Sequence, residues 1–253
     1  MSYPVWLASL GLLFTALERI WPRRRQQPLL RRGLFTDIAY VVFNSHYLGI
    51  LLAYATVWIA PVPIKGQWLG QASWAVQFVV ALVAMDFLQW AIHNLLHRVS
   101  WLWEFHKVHH SIVEMDWIGN WRFHWGEILV YRTLLYIPAA LLGARGDVLF
   151  WVGVLNTAIG HFAHANLRWH IGWLKYLVNS PEMHIWHHNH PSAGPVNKNF
   201  AITLAVWDWL FGTAHVPADD PARLGFEGIE KYPEQLPGQW LAPFQGMPRQ
   251  ARQ

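Results

Sequence analysis

The sequence contains no cysteine and few charged residues. Without cysteine the chain can form neither a disulfide nor a thiolate site for zinc or an iron–sulfur cluster. Asp, Glu, Lys and Arg make up 13% of its 253 residues, compared with about a quarter of an ordinary soluble domain. Hydrophobic residues make up 54%. This composition indicates a protein of the lipid bilayer rather than a soluble enzyme.

Long apolar segments predict an all-α integral membrane protein with about four transmembrane or membrane-dipping helices. Residues 3–21 are long enough to cross or nearly cross a bilayer, and they lack the basic start and the cleavage site of a signal peptide. Residues 38–60 and 67–85 carry no formal charge, and the helical pattern of the second segment continues beyond it. The shorter segments 128–142 and 147–160 suit a hairpin that dips into the membrane and returns.

The distribution of basic residues predicts the orientation. The loop at 23–32 contains five arginines, whereas the loop at 60–66 contains one lysine. Because Lys and Arg favour the cytoplasmic side of short loops, we place 23–32 and everything from about residue 93 onward on the cytoplasmic face. We expect residues 1–217 to form a single membrane domain with a cytoplasmic helical cap rich in histidine. Residues 218–253, which are polar and rich in Pro and Gly, are expected to form a C-terminal tail.

Histidines are concentrated in four short groups, two of which share the pattern HxxHH. On a helix, residues three and four positions apart lie on one face, so each group presents a local fan of imidazoles. Packing these rings for structure alone would bury many polar atoms that need partners, and protonation near neutral pH would make them repel one another. We therefore interpret them as metal ligands. The groups are His93 and His97; His106, His109 and His110; His161 and His164; His184, His187 and His188.

The number of imidazoles favours two metal ions. One zinc takes about four ligands, and the glutamate of the HExxH motif of zinc proteases is absent. Imidazole binds zinc, copper, iron and nickel, so the donors alone leave the metal open. An all-imidazole set beside a membrane fits iron that works with dioxygen. The alternatives are a membrane zinc hydrolase, a metal transporter or storage protein, and a haem protein with two histidine ligands.

Four segments resemble the motifs of the fatty acid hydroxylase/sterol desaturase superfamily. The resemblance extends in register over roughly residues 86–213. One position differs: the family commonly has arginine after the first ligand, whereas this chain has Asn94. The segments are DFLQWAIHNLLHRVSWLWEFHKVHHS (86–111), RFHWGEI (122–128), FAHANL (162–167), and SPEMHIWHH followed by NKNFAITLAVWDWLFGT (180–213).

The resemblance implies a membrane enzyme that hydroxylates or desaturates a C–H bond of a lipid with dioxygen and external electrons. Its centre would contain two iron ions, which zinc can replace in purified protein. The chain has no dinucleotide-binding glycine fingerprint and no haem-attachment motif, so a separate reductase, ferredoxin or cytochrome is expected to supply the electrons. No nucleic-acid partner is expected. The implied ligands are His93, His97, His106, His109, His110, His184, His187 and His188, with His164 as a ninth and His161 as a further candidate.

Three other polar residues are predicted to support the centre. Asp86 lies two helical turns before His93 on the same face, and we expect its carboxylate to accept the outer N–H of a ligand imidazole. Glu127 is expected either to pair with Arg122 as a structural strut or to line the site. Asn166 is a candidate for a weak metal contact or for a hydrogen bond to a ligand.

Overall fold

The computed structural model describes residues 2–47 and 68–245, and within these ranges the chain is helical and contains no β-strand. The prediction of an all-α protein is therefore confirmed for the described residues. The helices are α1 (Tyr3–Ile20), α2 (Leu34–Val41), α3 (Trp74–Arg98), α4 (Ser100–His110), α5 (Trp125–Leu141), α6 (Gly146–His164), α7 (Pro181–His187), α8 (Val206–Leu210) and α9 (Leu236–Leu241).

Helix α3 is the central element of the fold. It begins after Ser73, whose side chain accepts a hydrogen bond from the backbone N–H of Val76 and so caps the helix. It ends at Arg98, and the backbone is extended at Val99 before α4 begins. By length and composition, α3 is the one helix of the described residues that could cross a membrane. Its last turns contribute two histidines to the candidate site.

Helices α5 and α6 form a hairpin that packs against α3. The turn between them contains Gly143 at φ 87°, a conformation that glycine adopts without steric cost. Gly70, which precedes α3, lies close against this turn. A Cβ at that position would stand 2.9 Å from the carbonyl oxygen of Gly143, so the approach requires a residue without a side chain. A hairpin was predicted here, with slightly shorter helices. The buried apolar contacts between the three helices are made by Ala81, Met85, Leu135, Ala139, Val148 and Val152.

Helix α1 packs along α6 and closes the other side of the hairpin. The Tyr3 hydroxyl lies 2.8 Å from the Thr157 hydroxyl, and buried Glu18 accepts hydrogen bonds from the backbone N–H groups of Trp117 and Asn166. The Glu18 contacts tie the end of α1 to the segments around Trp117 and Asn166, near the histidines. The apolar segment predicted at 38–60 falls mostly outside the described residues. Its described part contains the end of α2 and a π-helical turn, Val42–Tyr47.

The C-terminal region beyond residue 217 is packed onto the helical domain as far as residue 245. Phe226 and Tyr232 are buried against Tyr40 and Val108, and Leu224 is 2% exposed. The prediction of a polar tail missed these contacts, because single apolar residues among Pro and Gly give no helical periodicity. This region therefore packs against α2 and against α4, the helix that carries the first histidine triplet.

Candidate metal centre

Nine buried or partly buried histidines converge in two adjacent groups. Within each group the candidate ligand nitrogens all lie within 4.8 Å of one another. The five-histidine group consists of His93, His97, His106, His110 and His187. The four-histidine group consists of His109, His164, His184 and His188.

Each HxxHH triplet is divided between the two groups. On α4, His106 and His110 lie one turn apart and join the five-histidine group, while His109 points to the other group. At the end of α7, His187 joins the five-histidine group and its neighbour His188 joins the four-histidine group. The triplets therefore hold the two groups side by side, and the His110 and His188 rings stack with centroids 4.5 Å apart.

In the five-histidine group the Nε2 atoms point at one another. The Nε2 atoms of His93 and His106 are 3.0 Å apart. The Nε2 atom of His110 lies 3.1 Å from that of His97 and 3.0 Å from that of His187. All five rings therefore direct the same nitrogen toward a common centre.

The four-histidine group has the same arrangement. The Nε2 atom of His164 lies 3.2 Å from that of His109 and 3.0 Å from that of His184. The Nε2 atoms of His184 and His188 are 3.1 Å apart. The Nδ1 atoms of His184 and His188 are buried and have no hydrogen-bond partner in the described part of the chain.

The opposite ring nitrogens fix the tautomers. The Nδ1 atoms of His93, His187 and His164 lie 2.7, 2.8 and 2.8 Å from the carbonyl oxygens of Phe200, Lys198 and Gly160. A carbonyl oxygen only accepts, so each Nδ1 carries the proton and each neutral ring has a lone pair at Nε2. Two lone pairs about 3 Å apart repel each other and form no hydrogen bond. A cation between them turns this repulsion into attraction, and the donor set therefore fits metal ions.

Burial keeps these imidazoles neutral. It lowers the pKa of His106, His109, His110, His184, His187 and His188 well below the usual range for histidine, and the neighbouring imidazoles lower it further. Only a neutral imidazole has a lone pair to give to a metal, so the rings are ready to bind one near neutral pH.

Glu127 lines the centre, which is one of the two roles considered for it. Its Oε1 atom accepts a hydrogen bond from Nδ1 of His106 at 2.8 Å, and both side chains are 1% exposed. The alternative strut between Glu127 and Arg122 does not form. Arg122 pairs with buried Asp37 instead, while its carbonyl oxygen lies 3.2 Å from Nδ1 of His109.

Asp86 and Asn166 have other partners than those predicted. The Asp86 carboxylate accepts hydrogen bonds from the backbone N–H groups of Thr203 and Leu204, and no histidine is among its hydrogen-bond partners within the described ranges. The 203–204 loop lies over this face of α3, and its N–H groups together with the indole N–H of Trp207 occupy the carboxylate oxygens. Asn166 bonds through its side chain to the backbone of Arg24, so it fastens the arginine-rich loop.

His161 lies outside both histidine groups. Its ring packs against Phe14 and Trp117, and the side-chain amide of Asn120 lies 3.0 Å from its Nδ1 atom. It precedes His164 by about one helical turn, but α1 and the Trp117–Trp121 turn enclose it away from the centre. The expectation that His161 is a ligand is therefore not supported by its position.

A buried ionic network beside the four-histidine group was not predicted. Asp37 accepts hydrogen bonds from Arg31 and Arg122, and Arg31 also pairs with Asp116. The sequence signal was a lone acid, Asp37, next to an apolar segment. The five arginines of the 23–32 loop predict only the orientation in the membrane, although Arg31 is 4% exposed.

The sequence was compared with protein families and with individual proteins of known activity. Residues 78–213 match the family model described as fatty acid hydroxylase. The chain is 31% identical over 222 residues to the ornithine lipid hydroxylase OlsE of Rhizobium tropici, an alignment that covers 84% of this chain and 66% of that protein. It is 24% identical over 208 residues to alkylglycerol monooxygenase of Xenopus tropicalis, covering 78% of this chain and 42% of that protein.

A third relative is the very-long-chain aldehyde decarbonylase GL1-6 of Oryza sativa subsp. indica. It is 25% identical over 254 residues, which cover 91% of this chain and 38% of that protein. The chain thus spans less than half of the second and third relatives and about two thirds of the first. No solved structure matches the chain.

Proposed function

Since the chain belongs to the fatty acid hydroxylase family, we propose that it is a membrane-bound enzyme that hydroxylates a lipid, with two iron ions held by its histidines. The observation that carries the proposal is the convergence of nine Nε2 atoms in two groups. One ion would be held by the five-histidine group and the other by the four-histidine group. Iron in such a site supplies the activation of dioxygen, with electrons from a separate donor.

The chain's own residues hold the rings in place and keep water out. Backbone carbonyls and Glu127 accept the Nδ1–H groups of His93, His106 and His164, so these rings present a lone pair at Nε2 without reorienting. Phe123 stacks on His109 with ring centroids 4.3 Å apart and planes 8° apart. This aromatic cover and the nearly complete burial of the rings give a dry site, in which a reactive species is protected from water.

Several features support a position in the membrane. Leu12 of α1, Val79 of α3 and Leu134 of α5 are 75%, 57% and 47% exposed, although they are large and apolar. Exposed apolar surface of this kind suits contact with lipid. The arginine-rich loop packs onto the histidine-containing cap through the Arg23–Asp220 and Arg31–Asp116 pairs. The arginine-rich loop and the histidines therefore lie on the same side of the membrane, which we propose is the cytoplasmic side.

The relatives suggest the class of substrate. Two of them are named for activities on ornithine lipid and on alkylglycerol. We propose a membrane lipid with a long alkyl chain, which would reach the centre from the bilayer between the helices. A separate protein would deliver the electrons. Residues 218–245 complete the cap of the same domain.

The proposal is tested with protein purified in detergent and kept reduced. We expect close to two irons per chain and, with an electron donor and isotopically labelled dioxygen, transfer of one labelled oxygen atom into a membrane lipid, detected by mass spectrometry. Protein that retains zinc alone and cleaves a substrate without dioxygen would establish the zinc hydrolase instead. Saturation at one metal per chain would contradict the two-metal centre.

A further inference from the structure

One short segment supplies the hydrogen-bond acceptors for three of the five histidines in the five-histidine group. His93 donates from Nδ1 to the Phe200 carbonyl at 2.7 Å, and His187 donates to the Lys198 carbonyl at 2.8 Å. Nδ1 of His97 lies 3.2 Å from the side-chain oxygen of Asn197. We call residues 197–200 the acceptor segment. Its conformation sets the direction in which these three rings point.

The four-histidine group does not use this segment among the described contacts. His109 and His164 direct their Nδ1 atoms to the carbonyls of Arg122 and Gly160 instead. A disturbance of the acceptor segment should therefore disorient rings of one group and leave the rings of the other group fixed. This asymmetry distinguishes an effect on orientation from a general loss of folding.

The backbone of the acceptor segment is held in an unfavourable conformation. Asn197 and Asn199 have φ values of 59° and 55°, and they are the non-glycine residues with positive φ in the described chain. Asparagine enters this left-handed region more readily than most residues, but the conformation persists only where the surroundings fix it. Something outside the segment must therefore hold it in place.

Asp208 holds the end of the segment. Its carboxylate is fully buried and accepts hydrogen bonds from the backbone N–H of Phe200 at 2.9 Å and of Ala201 at 2.8 Å. The same carboxylate accepts from the indole N–H of Trp90 at 3.0 Å and from the Thr213 hydroxyl at 2.6 Å. Because Trp90 lies about one turn before His93 on α3, Asp208 ties the acceptor segment to the helix that carries the ring it orients.

Asn199 holds the middle of the segment. Its side-chain amide donates to the carbonyls of Met183 and His215 at 2.8 and 2.7 Å, and its side-chain oxygen accepts from the backbone N–H of His215 at 2.7 Å. Met183 directly precedes the second triplet. Asn199 therefore fixes the segment against the helix that carries His187.

We propose that Asp208 and Asn199 are positioning residues for the metal of the five-histidine group, acting through the carbonyls of Lys198 and Phe200. The inference rests on the proposed two-metal function. Among the described hydrogen bonds neither residue bonds to a histidine ring of the centre, and both act through backbone groups that do. Loss of either should weaken the metal in the five-histidine group and spare the metal in the four-histidine group.

The first test is Asp208→Asn, titrated with cobalt(II) in detergent and followed by the visible absorption bands of the bound ion. Wild type should take up two ions. In the variant an N–H₂ group replaces one carboxylate oxygen and repels a backbone N–H. We expect one ion to bind about 10–100-fold more weakly while the other keeps wild-type affinity and spectrum. Asp147→Asn, which changes an exposed carboxylate on α6, is the matched control and should bind both ions as wild type does.

The second test is Asn199→Gly, which keeps the positive φ accessible and removes the side chain. It should weaken the same ion as Asp208→Asn does, and thermal unfolding in detergent should show a folded protein. Two ions of wild-type affinity in both variants would overturn the proposal, as would equal weakening of both ions. A wild type that binds fewer than two ions would instead contradict the proposed function, so the two failures are distinguishable.

Discussion

His106 donates its Nδ1–H to the carboxylate of Glu127 across 2.8 Å. Glu127 is the carboxylate among the described acceptors for the Nδ1 atoms of the two histidine groups. The other acceptors are backbone carbonyls or an amide oxygen. A carboxylate that accepts the outer N–H of an imidazole fixes its tautomer and increases its basicity. His106 should therefore be the strongest donor of the five-histidine group.

Replacement of Glu127 by Gln tests this relationship. Gln keeps the shape and can still accept one hydrogen bond, but it lacks the negative charge. We expect metal affinity or lipid hydroxylation to fall about 10–100-fold, measured by metal titration and by product mass spectrometry. Glu104→Gln is the control, because Glu104 lies on α4, the helix of His106, but pairs with Lys107 in a partly exposed position. Equal behaviour of the two variants would show that the carboxylate has no special role.

Removal of single ligands should empty the two groups separately. His187→Ala removes a lone pair from the five-histidine group, and His109→Ala removes one from the four-histidine group. Each variant should retain about one strongly bound ion, while both should lose activity, because the proposed reaction uses both ions. His215→Ala is the control, since its imidazole belongs to neither group and its contacts with Asn199 are made by its backbone, which alanine retains. Loss of both ions from either variant would mean that the groups form one site.

Acid should destabilise the metal-free protein and release metal from the loaded one. Burial lowers the folded-state pKa of His184, His187 and His188 below the value of about 6.5 for the unfolded chain. Below that pH the unfolded state binds more protons than the folded state, so stability falls as pH decreases from about 6.5 and is insensitive to these groups above it. Melting temperatures of metal-free protein between about pH 8 and pH 5 test this prediction. A melting temperature that rises on acidification would contradict it.

The histidine spacing predicted ten candidate rings, and the structure brings together nine of them, all except His161. Positions i, i+3 and i+4 share a helix face, which accounts for the local grouping within each segment. The division of each triplet between two groups could not be predicted. His109 lies on the same helix face as His106 and His110. The group that it joins depends on how α6 and α7 pack against α4. Local periodicity carries no information about that packing.

Residues that support the centre were harder to predict, because their partners are distant in the sequence. Asp86 was placed correctly on the face of His93, but loop 203–204 reaches its carboxylate from more than a hundred residues away. His161 shares a helix face with His164, yet aromatic rings from α1 and from the Trp117–Trp121 turn enclose it. Tertiary contacts of this kind decide which polar residue near a motif touches the site.

The last prediction concerns the buried network beside the four-histidine group. Asp37 is fully buried and accepts hydrogen bonds from both Arg31 and Arg122. Asp37→Asn keeps the shape but removes the charge, leaving Arg122 without a carboxylate partner among the described residues. Breaking a buried ion pair in this way typically costs about 3–5 kcal/mol, so the melting temperature in detergent should fall clearly. Because the Arg122 carbonyl accepts from His109, the metal of the four-histidine group should also bind more weakly than that of the five-histidine group.

Asp147→Asn, which breaks the exposed pair with Arg145, should change neither quantity, since exposed pairs add little. An unchanged melting temperature in Asp37→Asn would show that the two arginines find other partners and that the network does not stabilise the fold.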